Sequence, residues 1–134
     1  PPVISVYDER AVEAACRLKD KQKGKITVIS MGTAKAADVV KHAISMGADD
    51  GYVLQDPAFE NLDSFGTAYV LSKAIQKIGW YDLVLCGRQD AARPLPAHEE
   101  MAAAIPDSTL VVIENCGHMC MLERPDEVSR AMRR

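Results

Sequence analysis

Short, near-continuous apolar runs alternating with helix-period segments constrain this chain more than any other feature. The runs are Ile26-Thr27-Val28-Ile29, Gly51-Tyr52-Val53-Leu54, Leu83-Val84-Leu85-Cys86 and Leu110-Val111-Val112-Ile113. A strand with one wet face alternates apolar and polar residues. A strand that stays apolar throughout is covered on both faces, as in a parallel sheet flanked by helices.

The intervening segments supply those helices. Residues 9–22 carry Ala11, Ala15 and Leu18 at helical spacing, with Asp8 placed to cap and Gly24 to stop. Ala36, Val40, Ala43 and Ile44 line a second helix, with Thr33 as its N-cap and Gly47 as its end. Phe65, Tyr69, Ser72 and Ile75 mark a third, closed by Gly79, and Met101, Ala102 and Ile105 a fourth over residues 97–105. A last helix runs from Pro125 or Asp126 to Arg134. Pro2-Val3-Ile4-Ser5-Val6-Tyr7 has the β-branched content of a further strand. The expected fold is a single α/β domain over residues 1–134. It is a three-layer α/β/α sandwich with a mostly parallel sheet of four to five strands, Rossmann-like or flavodoxin-like. The strand over residues 82–86 is central in it, beside the last strand.

Composition excludes several function classes. A formal charge of −3 and a pI near 5.6 leave no basic footprint for nucleic acid. No apolar run approaches the roughly 20 residues that span a bilayer, and charges interrupt residues 1–20 where a secretory segment would be apolar. Of the cysteines, Cys16 falls in a helix pattern and Cys86 in a strand pattern, which favours buried free thiols and a reduced, cytoplasmic protein. Cys116-x-His118-x-Cys120 has no further ligand nearby to complete a zinc site in fixed geometry, so no metal is expected. The lysines of residues 19–25 read as a solvated helix end.

In a parallel sheet the binding edge lies at the strand C-termini. Residues 30–33, Gln55-Asp56, residues 87–90 and residues 115–118 all fall there. At Gly32-Thr33-Ala34 the helix start serves either as a plain cap or as an anion contact through its N–H groups.

The first two thirds of the chain carry a series of motifs: Tyr7-Asp8-Glu9 with Ala11-Val12-Glu13, Val28-Ile29-Ser30-Met31-Gly32, Ala43-Ile44-Ser45-Met46-Gly47-Ala48-Asp49, and Leu83-Val84-Leu85-Cys86-Gly87-Arg88-Gln89. In these, residues 1–89 resemble the β-subunit family of electron transfer flavoproteins. That resemblance implies AMP held by this kind of subunit and FAD supported on a partner subunit. It places nucleotide contacts at Ser5, Val6, Tyr7, Asp8 and Met31, and a phosphate loop after Gln89. The family's opening strand would lie upstream of residue 1. Ser5-Val6 stands where the family has Asn-Pro, and Asp90-Ala91-Ala92-Arg93-Pro94 stands where it has an acidic, Gly-containing loop.

Residues 83–134 carry a second set. Gly87-Arg88-Gln89-Asp90 with Pro94, Ala102-Ala103-Ala104-Ile105-Pro106, and Gly117-His118 with Glu123-Arg124-Pro125 resemble the C-terminal part of an α/β-hydrolase. The resemblance implies Asp90 as the orienting acid and His118 as the general base. No Gly-x-Ser-x-Gly nucleophile elbow is present, so the pair would be an idle relic without a nucleophile.

Together the two resemblances point to an engineered chimera joined near residues 83–90, a scaffold that is not an enzyme and takes no cofactor. An open sheet edge would give it a homodimer by edge pairing or strand exchange. The alternatives are a residual AMP- or FAD-type nucleotide-binding module of the flavoprotein kind, separable by AMP binding, and a hydrolase fragment, separable by an ester assay.

Overall fold

The computed structural model describes residues 4–79, 81–85 and 95–106. In order these form α1 (Val6–Gln22), β1 (Thr27–Met31), α2 (Ala36–Met46), β2 (Asp50–Leu54), a 3-10 turn (Pro57–Phe59), α3 (Ser64–Ile78) and α4 (Leu95–Ala104).

The first helix starts earlier than expected, and the strand predicted over residues 2–7 does not extend through Ser5 to Tyr7. The Ser5 hydroxyl accepts from the Asp8 N–H at 3.1 Å and donates to the Asp8 carboxylate at 2.8 Å. Ser5 is therefore the N-cap and Asp8 sits inside the first turn, where its charge suits the positive helix end. A Ser three residues before an Asp satisfies two polar groups locally, which outweighs the weak strand preference of two β-branched neighbours. At the other end Lys23, at φ 51°, closes the helix by donating its N–H to Lys19 O at 3.1 Å.

The two strands β1 and β2 pair in parallel, Thr27 opposite Asp50 through Met31 opposite Leu54. Main-chain bonds extend the pairing beyond both ends: Asp49 N–H to Ile26 O at 2.9 Å, and Gly32 N–H to Leu54 O at 3.0 Å. The crossover between them is α2. Its expected cap, Thr33, does not cap. The helix begins after Lys35 with no side-chain cap, and the Ala36 N–H is taken up by the Thr33 main-chain carbonyl at 2.8 Å. A tight turn of this kind satisfies early helical donors with backbone oxygens and leaves a capping hydroxyl nothing to do. Gly47 ends α2 as expected, at φ 128°.

The core lies where α1, α2 and β1 meet. Ile4, Val12 and Ala43 are buried together, with Cys16, Val28, Val39 and Met46 packed against them. Cys16 is a free thiol, half-buried where full burial was expected. On β2, Gly51 lets the strand approach α2. A side-chain carbon there would collide with Val40 Cγ1 and lie 3.1 Å from the Val28 carbonyl.

Beyond the sheet, Asp63 caps α3 through the Gly66 N–H at 2.7 Å, and Gly79 closes it. The buried stripe is Ala68, Ser72 and Ile75; the expected Phe65 and Tyr69 are about half exposed. The helix packs on α4 and also touches β1, and its buried stripe is set off from the aromatic positions. The fully buried Ser72 hydroxyl is satisfied by the Tyr69 carbonyl at 2.7 Å. Gln76 donates to the Ala104 carbonyl and ties α3 to the end of α4.

Among the described residues the sheet has two strands. The strand expected over residues 82–86 is not part of it across residues 81–85. Leu83 is 47% exposed and Val84 37%. Neighbours in an extended chain point to opposite sides, so the middle of this segment is open on both sides, while Tyr81 and Leu85 are half-buried. Cys86, the strand over residues 110–113 and the last helix lie outside the described residues.

Candidate functional site

Three contacts fix the direction of α1 against α2. Glu9 meets His42 at 3.5 Å, Cys16 meets the Met46 carbonyl at 3.5 Å, and Lys19 meets the Gly47 carbonyl at 3.4 Å. Residue numbers rise together, so the two helices run the same way. The crossover α2 leaves the C-terminal end of β1 and returns to the N-terminal end of β2. The start of α1 therefore lies toward the carboxyl edge of the sheet, and its end at the amino edge.

Ser5, Val6, Tyr7 and Asp8 thus lie at the same edge as Met31, the last residue of β1. Val6 projects into solvent, 58% exposed. The Asp8 carboxylate is half-buried and oriented by the Ser5 hydroxyl. Gln55 and Asp56 follow β2 at the same edge, with Asp56 committed to the Ala58 N–H at 2.8 Å. The Gly32 N–H is committed to Leu54 and does not serve an anion. The Glu9–His42 pair joining α1 to α2 was not foreseen. Its residues belong to separate helical patterns, and only the packing brings them together.

Charge concentrates at the opposite edge. Lys19 meets Asp49 at 2.5 Å and Lys25 meets Asp50 at 2.6 Å. These lysines, read as part of a solvated helix end, keep contact with solvent and also tie α1 and the β1 entry to the turn before β2. The Lys19 ammonium, then the Ile26 N–H at 2.7 Å, hold the Asp49 carboxyl below its ordinary range. Lys25, then Thr27, do the same for Asp50, and Lys25 is raised in return by Asp50.

Among the described residues no cluster of three or more His, Cys, Asp or Glu side chains could hold a metal, and no helix is long and apolar enough to cross a membrane. Asp90 and His118 lie outside the described residues, as does the Cys116-x-His118-x-Cys120 segment.

A parallel strand–helix–strand unit, with a second helix beginning beside its carboxyl edge, defines an α/β protein. The chain belongs to the electron transfer flavoprotein domain family, whose model matches residues 2–104. It is 43% identical over 129 residues to the electron transfer flavoprotein subunit beta of Thermoanaerobacterium thermosaccharolyticum, covering 92% of this chain and 49% of that protein. It is 33% identical over 129 residues to the acryloyl-CoA reductase electron transfer subunit gamma of Anaerotignum propionicum, covering 91% of this chain and 48% of that protein. It is 41% identical over 92 residues to protein FixA of Azotobacter vinelandii, covering 66% of this chain and 33% of that protein. The chain spans about half the length, or less, of these relatives. The family model carries the name of the electron transfer flavoproteins, and two of these relatives are named as electron transfer subunits.

These matches overturn the engineered-chimera reading and with it the hydrolase segment. The supposed junction at residues 83–90 lies inside the matched region 2–104. Similarities covering 92% and 91% of the chain cannot fit on one side of that junction. The hydrolase motifs misled for a physical reason. A strand entering a Gly-containing loop, then a helix and another apolar run, recurs across parallel α/β proteins. As sequence, Gly87 to Asp90 and Leu110 to Ile113 fit that common pattern, which does not separate one α/β family from another.

Proposed function

We propose that this chain is the adenine-nucleotide-holding part of an electron-transfer subunit of the flavoprotein β type. The observation that carries the reading is the placement of Ser5, Val6, Tyr7, Asp8 and Met31 at one edge, inside the region that matches the family. The donor set suits an adenosine. Asp8, oriented by Ser5, presents a carboxylate able to accept from ribose hydroxyls. Val6 and Met31 offer apolar surface to a purine. FAD bound to a partner subunit would supply the redox chemistry. The residues of this chain would hold and orient the nucleotide beside it. The partner in this reading is a different subunit and not a second copy, which accords with relatives named as subunits beta and gamma. The reading includes a parallel sheet of more than the two strands β1 and β2, in a three-layer, Rossmann-like or flavodoxin-like domain.

Titrating AMP into the isotope-labelled full chain tests the reading by amide NMR. Saturable shifts at Val6, Asp8, Met31 and Gly32, weakened in Asp8→Asn, are the expected result. A dispersed spectrum that AMP leaves unmoved overturns the nucleotide reading.

A further inference from the structure

We draw no further inference here: the strongest candidate, the exposed apolar face that Leu62, Phe65 and Tyr69 form at the start of α3, is an unpartnered surface with nothing in the structure to show what covers it.

Discussion

Lys19 on α1 and Asp49 in the turn before β2 stand thirty residues apart and meet at 2.5 Å. The second oxygen of the same carboxylate accepts the Ile26 N–H at 2.7 Å. One side chain thus joins the first helix, the entry to β1 and the entry to β2.

Acid should loosen this join. The Asp49 and Asp50 carboxyls are both lowered by folding, through Lys19 and Lys25 respectively. A group with a lowered folded pKa stabilises above its unfolded pKa, about 3.9 for Asp, and that stabilisation is lost as pH falls through the folded value. Melting temperature should therefore drop as pH is taken from 6 toward 3. The drop should be shallower in Asp49→Asn, which keeps an oxygen for Ile26 but no longer titrates. An equally steep drop in the variant would mean that other groups control acid stability.

Gly51→Ala should destabilise by about 1–3 kcal/mol, because the new methyl overpacks the contact between β2 and α2. Its carbon would meet Val40 Cγ1 first and the Val28 carbonyl second, at 3.1 Å. Urea midpoints of Gly51→Ala, Val40→Ala and the double variant should show favourable coupling, since trimming Val40 makes room. Strict additivity would argue against the close approach.

Gly47→Ala should cost about 1–3 kcal/mol for a different reason, a φ of 128° that side chains rarely adopt. A second contribution is steric, as Cys16 Sγ lies 2.9 Å from the added carbon. In a Cys16→Ala background the cost should shrink without vanishing. Complete rescue in denaturant melts would show that backbone strain contributes nothing.

The two hydroxyls near helix starts should behave unlike each other. Ser5→Ala removes a working cap and should cost about 1 kcal/mol. Thr33→Ala removes a side chain that caps nothing in α2 and should stay within about 0.5 kcal/mol. The reverse order in chemical denaturation would move the start of α1 to Asp8.

The parallel pair and its crossover were legible because local signals agreed. The run from Ile26 to Ile29 is apolar throughout, Gly47 follows a helical face, and Gly51 to Leu54 follows that. The start of α1 was less legible, since Val3, Ile4 and Val6 favour a strand while the Ser5–Asp8 bond favours a helix, and only geometry shows which wins. The face of α3 was misjudged for a related reason. Hydrophobicity picks out Phe65 and Tyr69, whereas the positions the fold buries are Ala68, Ser72 and Ile75. At the candidate site, motif resemblance pointed to Ser5–Asp8 and Met31. That they share one edge depends on the sense in which α1 runs, which no local pattern encodes. The chimera reading failed because a short stretch, residues 87–94, was weighed as ancestry against a match that runs through it over residues 2–104.

The shared sense of α1 and α2 has an electrostatic consequence. Peptide dipoles add along each helix to about half a positive charge at its start and half a negative charge at its end. Two helices running together stack like poles, so the α1–α2 layer is polarised from one edge of the sheet to the other. At the negative pole, Lys19 and Lys21 lie in the last turn of α1. At the positive pole, Asp8 and Glu9 in the first turn of α1 and Asp38 in that of α2 carry full negative charges, so the two dipoles offset the repulsion among carboxylates gathered at the carboxyl edge.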